Sequence, residues 1–256
     1  MPSQKLLGLV SLVIATLLIW TGFTMRPKTT SHRSNPSSIA DQLSQEQPPS
    51  SVGTATSTQK KLIALTFDDG PYGTSTRQIL DILKKENIHA TFFVIGQNVL
   101  EFPEEVRREI QEGNIIGNHS FNHSKRLPKM TAEEFKIDLD RTEEIIASST
   151  GIRPKLYRPP YGALSTPMRD VLAQEGYRTS LWNVDPNDWD YAHSPSDKII
   201  HSVLDAVKPN SIVLFHDGRD TQINYPRDNT VTALPIIIEA LKAQGYSFVT
   251  LDALRK

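Results

Sequence analysis

The 256-residue chain contains no cysteine. That excludes a disulfide framework and a thiol nucleophile, and any metal must be held by nitrogen and oxygen ligands. An excess of charge is missing as well: 28 basic residues face 29 acidic ones, so there is no basic field for nucleic acid. No GxGxxG follows the first apolar strand-like run, which disfavours a dinucleotide-binding sheet, and no repeat of fixed period runs through the chain. The composition is that of an ordinary folded protein with room for one large domain or two small ones.

Long apolar runs are also scarce, with one exception. Residues 6–25 carry no charge, and Leu6 to Phe23 would span about 27 Å as a helix, close to the thickness of a hydrocarbon core. The run is long for a cleaved signal and no clean small-x-small site follows it, so residues 1–25 are expected to be an uncleaved membrane anchor rather than a secretory signal. Residues 26–60, rich in Ser, Thr, Pro and Gln, are expected to be a disordered spacer. The rest, 61–256, is expected to be a folded body outside the cytoplasm.

Within that body, strand-like runs at 62–67, 90–95, 114–118, 155–158, 177–184, 211–216 and 246–250 alternate with helical patterns near 75–87, 103–112, 132–148, 166–175, 195–207 and 231–244. Thr131 and Glu134 form a capping box, and Gly113, Gly151, Gly176 and Gly245 follow helix ends. The alternation predicts a parallel α/β architecture, and seven strands suit a barrel whose chemistry collects at the strand C-terminal ends.

Polar groups do cluster at those ends. The first strand runs into Asp68-Asp69-Gly70-Pro71, which alone is ordinary turn chemistry but could also supply a metal ligand and a base. The third runs into His119-Ser120-Phe121-Asn122-His123. Histidines at i and i+4 share one face of a helical turn, and a third ligand from Asp68 or Asp69 would complete a two-His, one-carboxylate site. The fourth ends in Arg158-Pro159-Pro160-Tyr161-Gly162, where Tyr161 carries the first backbone N–H after two prolines and Arg158 can pair with a carboxylate. The fifth leads into Asp185-Pro186-Asn187-Asp188-Trp189. In the sixth, the period of two puts Leu214 and His216 on one face.

These five stretches, TFDDG at 66–70, HSFNH at 119–123, RPPYG at 158–162, DPNDW at 185–189 and LFH at 214–216, resemble the ordered motifs of the polysaccharide deacetylases, the NodB-homology or carbohydrate esterase family 4 domain. The resemblance covers about residues 61–254. It implies a distorted (β/α)7 barrel and hydrolytic removal of acetyl groups from glycans. It further implies Asp69, His119 and His123 as ligands of a divalent metal, zinc ahead of cobalt, nickel or manganese, with Asp68 as catalytic base and Arg158 orienting it. By the same resemblance the Tyr161 amide binds the oxyanion, His216 is the general acid with Asp188 as its charge partner, and Trp189 and Leu214 surround the acetyl methyl. With the anchor, this points to an N-acetylated polysaccharide substrate, peptidoglycan N-acetylglucosamine first, before chitin oligomers, an exopolysaccharide or acetylxylan. The competing class is a wall-binding module of the same fold without catalysis. Nothing in the sequence calls for a protein partner.

Overall fold

The computed structural model describes residues 60–219 and 227–254; the expected anchor and the spacer up to residue 59 lie outside them. Among the described residues no helix is long and apolar enough to cross a membrane. The order is β1 (Lys61–Gly70), α1 (Gly73–Glu86), β2 (Thr91–Val94), α2 (Gly96–Glu101), α3 (Pro103–Gln111), β3 (Ile115–Asn118), α4 (Ala132–Thr150), β4 (Leu156–Tyr157), α5 (Thr166–Gln174), β5 (Arg178–Thr179), α6 (Ser196–Ala206), β6 (Ser211–His216), α7 (Asp228–Ala243), β7 (Tyr246–Phe248) and α8 (Leu251–Leu254). The strands pair in the order β5-β4-β3-β2-β1-β6, all parallel, while β7 adds to the first residues of β1. Beyond β5 the chain continues as far as a single bridge from Val184 to Val213 of β6. The sheet therefore curls toward closure, in accord with the distorted (β/α)7 arrangement expected.

The alternation along β1 explains what each face holds. Ile63, Leu65 and Phe67 join the main core with Ile79, Leu80 and Leu83 of α1 and Ile237, Ile238 and Leu241 of α7. Burying such side chains contributes about 1.5–3 kcal/mol each relative to exposure, so this face fixes the register of β1 against the helices. Ala64 packs on the opposite side with Phe93, Leu156, Ile212 and Leu251. Above it, Thr66 and Asp68 continue the same face, which is thus apolar low down and polar at the strand ends.

Several boundaries follow local chemistry. The capping box of Thr131 and Glu134 starts α4, and Gly151 ends it in the left-handed region at φ 76°. Gly113, Gly176 and Gly245 adopt positive φ after α3, α5 and α7 as their positions suggest. Three expectations need correction. Helix α2 was not foreseen, because six residues are too few to show a helical period. The fifth strand is two residues long rather than eight, since residues 180–184 leave β4 to reach β6. Pro195 is the N-cap of α6, not its first helical residue.

Candidate active site

The two acids at the end of β1 are separated by a bulge. Asp68 pairs with Phe93 and Gly70 with Val94, so Asp69 is an extra residue in the ladder, at φ 70°. A bulge turns one residue out of the alternation and lets neighbouring side chains serve one site. The two acids are thus brought to one site by a turn made inside the strand, before the Gly70-Pro71 break. Asn98 of α2 holds the bulge through a 2.7 Å hydrogen bond from Nδ2 to the Asp69 carbonyl.

His119 and His123 also meet differently from the expected helical turn. Residues 119–126 are not helical; Ser120 and His123 have φ of 74° and 53°. The loop is shaped by side chains instead: the Ser120 N–H donates to Asn118 Oδ1 at 2.8 Å, and the His123 N–H to Ser120 Oγ at 3.1 Å. The result still brings both rings to Asp69, with Nε2 of each histidine 3.4 Å from its Oδ1. His119 Nδ1 lies 2.7 Å from the Arg158 carbonyl, which can only accept. Nδ1 therefore carries a proton, and Nε2 faces Asp69, a donor to it when the ring is charged and a lone pair for a cation when the ring is neutral. His123 Nδ1 is 3.1 Å from the Tyr161 hydroxyl.

These three residues fit a metal ion. All are buried, their ligand atoms lie within 4.8 Å of one another, and Asp69 Oδ1 has no hydrogen-bond donor among the described residues. Two ligands about 2.0–2.1 Å from one ion at a tetrahedral angle stand about 3.4 Å apart, which is the spacing found. Burial alone would raise the Asp69 pKa, but His123, His119 and His216 outweigh it and hold the carboxyl far below the usual range. It is thus an anion ready for a cation.

Asp68 is partnered by a different residue. Arg158 is fully buried rather than on the surface; its Nη1 donates to Asp68 Oδ1 at 2.7 Å and to Thr66 Oγ1 at 2.9 Å, and its Nε to the Ser180 carbonyl at 3.1 Å. Its guanidinium lies over the Phe93 ring, 4.1 Å from the centroid. A buried charge stays ionised only when paired and hydrogen-bonded in this way. Asp68 Oδ2 lies 3.8 Å from His119 Nε2, so the base candidate sits beside the metal triad. Tyr161 follows in a short 3-10 turn at φ 58°, half-exposed at the cavity rim.

Across the cavity, Asp188 Oδ1 is 2.7 Å from His216 Nδ1, while its Oδ2 accepts from the His216 N–H and from Thr230 Oγ1. The carboxylate fixes the proton on Nδ1 and leaves Nε2 on the far side of the ring. Burial depresses the imidazole pKa, but Asp188 and then Asp69 overcome that and the net shift is upward. The reciprocal pull of His216 lowers Asp188 despite its burial. Asp217, the next residue, is a strut: its carbonyl accepts from Ser75 and its carboxylate from Thr76, tying the end of β6 to α1.

A cavity of about 380 Å³ collects these groups. Asp68, Asp69, His119, His123, Tyr161, Trp189, Leu214 and His216 line it, together with Trp182, Asp185 and Arg227. Arg158 lies beneath Asp68, and Asp188 stands behind His216. Asp185 caps its own turn by accepting from the Asn187 N–H. Trp189 is half-exposed at the rim, where an aromatic face can take a sugar ring. Arg227 was not foreseen: it lies far from every motif, and only the packing of α7 against α6 near the end of β6 brings it in.

The polysaccharide deacetylase family matches residues 55–180. The chain is 38% identical over 194 residues to the peptidoglycan-N-acetylglucosamine deacetylase PgdA of Listeria monocytogenes, covering 76% of this chain and 39% of that one. A peptidoglycan-N-acetylglucosamine deacetylase of Bacillus cereus is 38% identical over 198 residues, covering 76% and 88%. The solved structure of peptidoglycan deacetylase PdaC from Bacillus subtilis has a TM-score of 0.68 at 38% identity, covering 77% of this chain and 90% of that one. The chain thus spans about two fifths of the length of PgdA and 88% of that of the Bacillus cereus deacetylase.

Proposed function

This chain belongs to the polysaccharide deacetylase family, and on that premise we propose that it hydrolyses N-acetyl groups from an envelope glycan, with peptidoglycan N-acetylglucosamine as the leading substrate. The observation that carries the reading is the convergence on one cavity of three parts: an Arg-held carboxylate, an Asp-His-His triad and an Asp-held imidazole.

An amide resists hydrolysis on three counts: water is a weak nucleophile, charge builds on the carbonyl oxygen, and the amine is a poor leaving group. Asp69, His119 and His123 would hold a divalent ion, with zinc the leading choice for such ligands, which when bound would supply Lewis acidity and lower the pKa of the attacking water. Asp68, aimed by the hydrogen bond from Arg158, takes the proton of the attacking water. The Tyr161 N–H meets the developing oxyanion, a donor worth on the order of 3 kcal/mol. His216 gives its proton from Nε2 to the departing nitrogen, and Asp188 keeps it charged until then. Leu214 and Trp189 enclose the acetyl methyl.

The N-terminal run of residues 6–23 supports an anchor, and a spacer of about 35 residues gives the domain reach into a wall. On this reading residues 61–256 are cleaved by protease added to intact cells; protection of that body would overturn the placement. The function is tested by acetate release from peptidoglycan, chitin oligomers and acetylxylan with and without chelator. Chelator-sensitive release greatest from peptidoglycan is expected; a chain that binds wall without releasing acetate would be the non-catalytic module.

A further inference from the structure

The cavity contains a cation to which the hydrolytic steps above give no task. Arg227 stands at the start of α7, 94% buried, with its Nε donating to the Gly218 carbonyl at 2.6 Å. Its Nη2 is 3.9 Å from Asp69 Oδ2, near enough to attract and too far for a hydrogen bond. Its Nη1 is buried and meets no acceptor among the described residues. A buried donor on a charged group without an acceptor is costly, and a binding site is where such a cost is tolerated because a ligand removes it. The other buried arginine of the site, Arg158, is occupied by Asp68 and Thr66.

The reaction creates the matching acceptor. Water and a neutral amide become a carboxylate and an ammonium, the amine taking up the proton that the acid releases, so each turnover leaves a new monoanion in a cavity already lined by Asp68, Asp69 and Asp185. Asp68 is already engaged by Arg158, and Asp69 by the ion its triad would hold, so the cation left uncommitted in the lining is the one available to the new anion. A planar guanidinium fits a carboxylate better than any other side chain, through two parallel N–H donors.

We propose that Arg227 is a carboxylate-binding residue of this cavity, which receives the acyl product, acetate, through Nη1. The identity of that carboxylate rests on the deacetylase reading. The role differs from a mere brace for Asp69, because a brace would leave no donor unpaired.

The test is calorimetric binding of sodium acetate, and of its neutral analogue acetamide, to the metal-loaded full-length protein, so that the readout does not depend on turnover. Arg227→Met should weaken acetate at least about ten-fold, the loss typical of a hydrogen bond to a charged group, while acetamide changes less than about two-fold and bound metal per chain is unchanged. Arg227→Lys, which keeps the charge without the fork, should recover part of the acetate affinity. Should Arg227→Met fail to fold, Arg227→Gln carries the same comparison. The proposal is overturned by acetate affinity equal to wild type, by equal losses for acetate and acetamide, by loss of metal, or by wild-type protein that does not bind acetate. A chain that releases no acetate from any glycan yet shows the Arg227-dependent preference would refute the deacetylase reading and keep this one.

Discussion

Asp68 and Asp69 are adjacent in the chain, and their surroundings divide the labour between them. Asp68 is bonded to a buried guanidinium, which leaves it a base with one oxygen toward His119. Asp69 keeps an oxygen that no donor reaches but two imidazoles face. Asp68→Asn should therefore lower kcat by a factor of about 10²–10⁴, the usual contribution of general-base catalysis, with metal content unchanged by elemental analysis. Loss of the metal would mean that the two acids have exchanged roles. His216 makes the second residue-scale prediction. Its pKa is raised because Asp188 outweighs burial, so the protonated acid persists above the ordinary value of about 6.5 and kcat/KM falls only as pH rises through the shifted one. Removing the carboxylate in Asp188→Asn removes the main charge that opposes burial, and the alkaline limb should move to lower pH. A limb that stayed in place would separate His216 from proton donation.

At the scale of elements, the site is made where regular structure is interrupted: a bulge in β1, a side-chain-built loop after β3, a left-handed tyrosine after β4. The polar residues at strand ends were legible in the sequence, because period-two burial and turn residues mark where strands stop. The interruptions were not. Register against β2 decides that Asp69 is the extra residue, and no property of TFDDG alone specifies it. The i, i+4 spacing of the histidines suggested a helical turn, yet Asn118 and Ser120 bind the loop backbone and compete with the helix. Arg227 escaped notice because it belongs to none of the five motifs and only the fold brings it to Asp69. The junction of β1 and β6 gives the test at this scale. A Cβ on Gly218 would overlap the Asp69 carbonyl and crowd the Gly70 backbone. Backbone cannot step aside as a flexible side chain can, so Gly218→Ala should destabilise the domain by about 1–3 kcal/mol in urea unfolding and weaken metal binding with it, since Asp69 must shift. A variant with altered activity but wild-type stability and metal affinity would show that the close approach is not what positions the ligand.

For the molecule as a whole, metal and fold are coupled through the same three side chains. The triad joins the end of β1 to the loop after β3, and these meet only in the native chain, so an ion bound there stabilises the folded state alone. At a free metal concentration a thousand-fold above Kd the gain is about 4 kcal/mol. For a domain of this size that corresponds to a rise in Tm of roughly 8–16 °C. Chelation should remove the whole increment. Asp69→Asn and His123→Ala should melt at one temperature with or without metal, because the anionic ligand or the imidazole that would hold the ion is gone. Asp68→Asn should keep most of the increment, since Asp68 is engaged by Arg158 and stands outside the triad. Differential scanning calorimetry of the four proteins, each with metal and with chelator, therefore identifies the ligands without reference to substrate or turnover. An equal loss of the increment in Asp68→Asn and Asp69→Asn would mean that the ion is shared by both carboxylates, and Asp68 could not then serve as a base free of the metal.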